Sequence, residues 1–68
     1  MKTAEKARIR IEHWVTHNDH HESEYLEFAK ELEEAGLETA AAEIRRMIEF
    51  NEKSNECLRK ALAALPAD

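Results

Sequence analysis

The strongest constraint on the fold is a long stretch without glycine or proline, which is followed by the only glycine in the chain. From Lys2 to Glu34 strong helix formers dominate, and this composition predicts one continuous helix. Gly36 is typical of the left-handed residue after a helix end, with Leu37 as the apolar contact that often accompanies it. Pro66 then marks the end of a second helix. The sequence therefore predicts two helices joined by a short turn.

Apolar residues recur at three- and four-residue spacing through both stretches, which is the pattern of helices that pack side by side. We therefore expect an all-α fold, a long antiparallel helical hairpin that forms a single domain over residues 1–68. The helices are expected over about 2–34 and 38–65, with the turn at Ala35–Leu37. The stripe of the first helix is Ala4, Ala7, Ile11, Trp14, Asn18, His21, Tyr25, Phe28, Leu32 and Ala35, and that of the second is Leu37, Ala41, Ile44, Ile48, Asn51, Asn55, Leu58, Leu62 and Leu65.

An alternative fold divides the first stretch into two helices. Asn18 or Asp19 could begin a new helix, because both residue types favour helix N-termini. A break near these residues would give a three-helix bundle. The unbroken apolar spacing across residues 11–32 favours the two-helix hairpin over this alternative.

A hairpin of this size leaves much of its apolar surface uncovered. A chain of about 60 residues buries only about 60% of its unfolded surface, and such short chains usually require a disulfide, a metal ion or a partner subunit. The single cysteine excludes an internal disulfide. We therefore expect two hairpins to pair as a homodimeric four-helix bundle. The residues expected to form the core and the dimer contacts are Trp14, Tyr25, Phe28 and Leu58.

The charge balance argues against several classes of partner. Fifteen acidic and ten basic residues give a net charge of −5, and the basic residues form no continuous patch. Binding to nucleic acid needs a basic face, so we expect neither nucleic acid nor a membrane as partner. No apolar run approaches the ~18–20 residues of a membrane-spanning helix, and the N-terminus lacks the pattern of a secretory signal. With the lone Cys57 these features predict a reducing, cytoplasmic location.

All four histidines lie close together on the first predicted helix. His13 and His17 are four residues apart, as are His17 and His21, and His20 follows His17 by three residues. Side chains at these spacings share one side of a helix. A pair of imidazoles at i and i+4 can present two ring nitrogens to one metal ion, and imidazole suits zinc, nickel and copper. The cluster therefore predicts a site for a divalent transition metal.

Further ligands are expected beside this cluster and on the facing helix. Glu24 continues the histidine side of the first helix at four residues beyond His20. In an antiparallel hairpin that turns near Gly36, facing residues lie at equal distances from the turn. The residues of the second helix that we consider as additional ligands are Glu52, Glu56 and Cys57.

A structural interpretation of the same region remains open. Asn18, His21, Asn51 and Asn55 occupy stripe positions at one level of the hairpin. Buried polar side chains can bond across helices and fix their register and oligomeric state. The chain would then be a structural or interaction module that associates with itself through its helical faces. A pH-responsive surface is a further alternative, since histidine changes charge near neutral pH.

We expect no enzymatic activity. The sequence contains neither His-Glu-x-x-His nor the Glu-x-x-His of di-iron bundles, and one glycine cannot build a phosphate-binding loop. A two-helix hairpin also offers little concave surface for a substrate pocket. The expected function is therefore storage, delivery or sensing of a metal ion.

Residues 13–20, His-Trp-Val-Thr-His-Asn-Asp-His, resemble a group of short helical proteins and C-terminal domains with the motif His-Trp-x-x-His-Asn-x-x-His. The resemblance covers most of the chain, including the turn at Gly36 and an asparagine in the second helix, here Asn51 or Asn55. No activity is assigned to the group. Related segments accompany small nickel-binding proteins of carbon monoxide dehydrogenase maturation, so the resemblance places nickel beside zinc. The residues assigned to the motif are His13, Trp14, His17, Asn18 and His20, while the full spacing of the motif counted from Asn18 falls on His21.

Overall fold

The computed structural model describes residues 2–67 and contains two antiparallel α-helices. Helix α1 spans Thr3–Glu34 and helix α2 spans Glu38–Ala64. The predicted all-α hairpin is therefore confirmed for the described residues. The helix bounds differ from the expected ones by one residue at two ends, because Lys2 and Leu65 have extended backbone angles.

Helix α1 runs without interruption through the site of the expected alternative break, so the three-helix bundle is wrong. The side chains of Asn18 and Asp19 do not cap a helix start. The Asn18 amide donates to Asn55 Oδ1 at 2.9 Å, and Asp19 Oδ1 accepts from Asn55 Nδ2 at 2.8 Å. Because both side chains bond to α2, they stabilise the packing of a continuous α1.

The connection between the helices is a compact helix stop at Gly36. Its φ of +78° lies in the left-handed region, where a residue with a Cβ atom is strained. The Leu37 N–H donates to the Leu32 carbonyl at 2.8 Å, and the Gly36 N–H donates to the Glu33 carbonyl at 3.0 Å. This pair of bonds is the Schellman motif, which satisfies the last carbonyls of α1. The chain then reverses, and α2 begins two residues later.

The contact between the two helices buries few apolar side chains. Among the described residues the buried apolar ones are Ala29, Ala41 and Ile48, and no large side chain is fully buried. On α2 the buried and half-buried residues follow the predicted stripe. Neither described helix has a stretch apolar and long enough to cross a membrane.

On α1 the contact with α2 is shifted by one residue at two predicted core positions. Trp14 and Phe28, which we expected in the core or at dimer contacts, are each 47% exposed, so the contact between α1 and α2 does not bury them. The next residues along the chain take these places, since Val15 is half-buried and Ala29 is fully buried. The apolar stripe of α1 is wider than the surface that one neighbouring helix covers, so the large rings lie at its edge. The other two predicted core residues are half-buried: Tyr25 and Leu58.

The two broad sides of the hairpin differ in charge. On one side Arg45 donates two hydrogen bonds of 2.8 Å to the Glu33 carboxylate, and Arg59 Nη2 lies 3.6 Å from Asp19 Oδ2. Asp19 and Glu33 are two heptads apart on α1, as Arg45 and Arg59 are on α2. Because residues at heptad spacing share a side of a helix, both ion pairs lie on the same side of the hairpin, which is called the ion-paired side below. The other side has heptad-spaced residues without charge and is called the uncharged face below. It contains Ala7, Trp14, His21 and Phe28 of α1 and Ala40, Met47, Ser54 and Ala61 of α2.

Candidate metal centre

The four histidines form a row at the middle of α1. The ring centroids of His13 and His17 are 6.0 Å apart, and those of His17 and His21 are 4.3 Å apart. His20 lies beside this line, with its ring centroid 6.2 Å from that of His21. His21 is half-buried and the other three are exposed. The row is therefore open to solvent and reaches the uncharged face at His21.

His17 and His21 form the closest pair in this row. Their Nε2 atoms are 2.8 Å apart, so one ring donates its N–H to the other. His21 Nδ1 lies 3.0 Å from Glu24 Oε1. Because a carboxylate only accepts, His21 carries its proton on Nδ1. With the proton on Nδ1 only, the lone pair of the ring is on Nε2, the atom that faces His17.

This arrangement resembles the first and second coordination shells of a histidine metal site. Metal-bound imidazoles usually donate their other N–H to a carboxylate, as His21 does to Glu24. Two imidazole nitrogens bound to one tetrahedral zinc ion lie about 3.3 Å apart. The Nε2 atoms of His17 and His21 are about 0.5 Å closer than that. His17 is exposed and His21 half-buried, and rotation of either side chain changes this separation.

The other predicted ligands of α1 do not converge on this pair. His20 Nε2 lies 3.7 Å from Glu24 Oε1, and the His20 side chain is 74% exposed. His13 stacks on His17 without a short contact between their nitrogen atoms. Among residues 2–67, no group of three or more His, Cys, Asp or Glu side chains is arranged to hold a metal ion. One chain therefore supplies two converging nitrogens.

The predicted ligands of α2 lie apart from the histidine row. Glu52 follows Arg45 by seven residues and so shares the ion-paired side. Glu56 Oε1 is 3.0 Å from Lys60 Nζ. Cys57 is an exposed free thiol. Within the described part of the chain the structure does not bring these three side chains together with the histidines in one ligand group.

Three asparagines form a hydrogen-bonded layer between the helices at the level of the histidines. The Asn18 amide donates to Asn55 Oδ1 at 2.9 Å, and the Asn51 amide donates to the Asn18 carbonyl at 3.0 Å. The Asn55 amide donates to Asp19 Oδ1 at 2.8 Å. Asn55 is 3% exposed, and no buried side-chain polar atom of the described residues lacks a partner. The layer therefore fixes the register of the two helices at this level.

His21, which we expected in this layer, bonds within α1 instead. Its two ring nitrogens contact His17 and Glu24, and its ring stacks on Tyr25 at a centroid distance of 5.8 Å. Asp19 takes its place as the partner of the buried asparagine, a role that the sequence analysis missed. The antiparallel register could have predicted this contact, because Asp19 directly follows Asn18 and is therefore within reach of the Asn55 side chain that Asn18 contacts.

Comparison with known proteins assigns a family and no activity. No curated protein and no solved structure matches the chain. A family model described as a domain of unknown function, DUF8180, matches residues 7–65, which include the histidine row and the asparagine layer. This match agrees with the expected resemblance to short domains without an assigned activity. The chain therefore belongs to the DUF8180 family.

Proposed function

We propose that the protein binds a divalent transition metal ion, zinc, nickel or copper, and serves in its storage, delivery or sensing. The observation that carries this proposal is the pair of Nε2 atoms of His17 and His21, which converge to 2.8 Å. Imidazole nitrogen is a suitable ligand for all three metals. The Glu24 carboxylate on the far side of His21 orients the ring and increases the basicity of the ligating nitrogen.

The surroundings of the pair also favour cation binding. The net charge of −5 produces a field that attracts cations. The pair is carried by a continuous helix, which the asparagine layer fixes against α2 at the same level. Ligands on rigid elements keep their geometry better than ligands on loops. The exposed position on a helix surface suits reversible binding rather than the conversion of a substrate.

Self-association as an interaction module is a second candidate function, and the uncharged face favours it. Trp14 and Phe28 are 47% exposed on a hairpin that buries little apolar surface of its own. Exposed apolar faces of this kind are typical of helices that pack on other helices. We propose a homodimer, in which two hairpins form a four-helix bundle with the asparagine layer in its core.

The proposed function is tested by titrating the untagged full-length protein with Zn²⁺, Ni²⁺ and Cu²⁺ near neutral pH. We expect His17→Ala and His21→Ala each to lower the affinity about tenfold or more, because each removes one of the two converging nitrogens. His20→Ala is the matched control, with the same residue type on the same helix. We expect it to change the affinity less than about threefold, since its ring lies away from the pair.

Equal losses in all three variants would contradict the assignment of the site to His17 and His21. Absence of stoichiometric binding by the wild-type chain would contradict the proposed function itself. Circular dichroism of each variant checks that the helices are intact, which we expect because alanine is the best helix former.

A further inference from the structure

We infer that the metal site is shared between two copies of this chain, whose uncharged faces pack together and bring His17 and His21 of both copies into one layer. This inference rests on the proposed metal binding. A tetrahedral metal ion takes four ligands, and one chain supplies two converging imidazole nitrogens. The second copy supplies the same two, so that four nitrogens complete the coordination shell.

The direction of the apolar stripe on α1 indicates where the second copy lies. In a four-helix bundle the stripe of each helix points to the bundle axis, between its two neighbours. Here one margin of the stripe is covered by α2, where Ala29 is fully buried, while Trp14 and Phe28 at the other margin are half-exposed. On α2 Ile48 is buried in the contact, and Met47 beside it is 37% exposed. The uncovered margins of both helices lie on the uncharged face, because the ion pairs occupy the other side.

The size of this face fits a stable dimer. The hairpin measures 52 Å by 15 Å along its two longest axes, so the projected outline of its broad side is about 780 Å². Stable interfaces bury about 800 Å² on each partner. One face of the hairpin is therefore large enough for a complete interface, and the buried area would supply the core that the single hairpin lacks.

The composition of the face points to a second copy as its occupant. Its aromatic side chains, Trp14 and Phe28, come from α1, whereas α2 contributes Met47 and the small residues Ala40, Ser54 and Ala61. In a two-fold dimer the same surface occurs on both partners, so the apolar residues of one copy pack on those of the other. The ion-paired side turns away from such a contact, and the heptad-spaced residues that define the uncharged face carry no charge.

Symmetry then places the histidines together. Helix α1 spans Thr3–Glu34, and its midpoint falls between Asn18 and Asp19. At 1.5 Å per residue, His17 and His21 lie within about 4 Å of that midpoint along the helix. When two equivalent faces pack in register about a two-fold axis perpendicular to the helices, α1 of one copy lies antiparallel over α1 of the other, and their midpoints meet. The histidine pairs of both copies therefore occupy one level of the bundle.

Sedimentation and metal titration of the untagged full-length chain test this inference with Zn²⁺ as the probe. We expect the zinc-loaded protein to be a dimer that is saturated at one Zn²⁺ per two chains. Removal of the metal by a chelator is expected to favour dissociation of the dimer into monomers. One Zn²⁺ per chain on a monomer would overturn the shared site and leave the proposed metal binding intact. Absence of zinc binding would overturn both.

A pair of matched variants tests whether the uncharged face forms the interface. Phe28→Glu adds a charge at one margin of the uncharged face and leaves every histidine in place. Ile9→Glu adds the same charge at a residue that is 57% exposed and lies outside the face. We expect Phe28→Glu to yield monomers with about tenfold weaker zinc binding or more, and Ile9→Glu to resemble the wild type. A dimeric Phe28→Glu chain with full zinc affinity would overturn the inference. If this variant fails to fold, the number of Zn²⁺ ions per wild-type chain decides whether the site is shared.

Discussion

The Glu24 carboxylate accepts the Nδ1 proton of His21 at 3.0 Å, and this contact determines which nitrogen of the ring is free to bind a metal. We predict that Glu24→Gln lowers zinc affinity by about tenfold, because the neutral amide supports the ring less well than a carboxylate does. Isothermal titration measures the effect. Glu27→Gln makes the same change in net charge on the same helix and is expected to bind zinc as the wild type does. Similar affinities for both variants would show that Glu24 acts only through its charge at a distance, or not at all.

Asn55 is the centre of the polar layer, since it bonds to both Asn18 and Asp19 and is 3% exposed. We predict that Asn55→Ala lowers the free energy of unfolding by about 1–3 kcal/mol, because it leaves two partly buried polar groups without this partner. Urea denaturation at fixed protein concentration measures the change. Lys53→Ala, at an exposed position outside the uncharged face, is expected to stay within about 0.5 kcal/mol of the wild type. A loss of the same size in both variants would contradict the role of the layer.

At the scale of the helices, an ion pair joins the end of α1 to α2. The two hydrogen bonds from Arg45 hold the pKa of the Glu33 carboxyl below its usual value of 4.5, and the same contact raises the pKa of Arg45. A carboxyl with a lowered pKa in the folded state stabilises the fold above its unfolded pKa and loses that contribution as the pH falls through its folded pKa. The ion pair of Glu33 and Arg45 therefore stabilises the fold at neutral pH and not in strong acid.

We predict that Glu33→Gln lowers the melting temperature slightly near neutral pH and that the difference disappears in acid below the folded pKa of Glu33. The effect is small because the pair is exposed to solvent. Thermal unfolding followed by circular dichroism at both pH values measures it. Glu34→Gln, one residue along, provides the control for the loss of a carboxylate at this helix end. A melting difference for Glu33→Gln that persists undiminished in acid would contradict the assignment.

The hairpin itself was predictable from the sequence, because Gly36 and the three–four spacing specify two helices and the turn between them. The positions of Trp14 and Phe28 were not. One residue corresponds to a rotation of about 100° around a helix, and a broad apolar stripe does not show which of its margins the neighbouring helix will cover. The small Ala29, which allows the backbones to approach closely, decides that question in favour of the adjacent positions.

The candidate site was predictable in outline. Helical spacing alone placed the histidines in a row, but the pairing of His17 with His21 depends on side-chain torsions that spacing does not specify. Equal distance from the turn placed Glu52 and Glu56 at the level of the site, yet level along a helix does not determine the side on which a residue lies. Glu52 shares the ion-paired side and Glu56 pairs with Lys60 on its own helix, so neither carboxylate joins the histidine pair.

At the scale of the whole molecule, the hairpin has the features of one half of a four-helix bundle. Its few buried apolar residues are small or of medium size, its largest apolar side chains lie at the margin of an uncharged face, and its polar layer lies near the middle of its length. Pairing of two such faces would supply both the missing core and the missing ligands. In this account folding, dimerisation and metal binding are linked, because a ligand that binds only the assembled form stabilises it.

X-ray absorption spectroscopy of the zinc-loaded, untagged protein identifies and counts the atoms around the metal, and so distinguishes a site shared by two copies from a site on one chain. We predict about four nitrogen ligands at about 2.0–2.1 Å, with the outer-shell scattering of imidazole rings. Two imidazoles completed by oxygen ligands would contradict a site shared by two copies. Sulfur scattering at about 2.3 Å would instead place Cys57 on the metal and contradict the assignment of the site to His17 and His21.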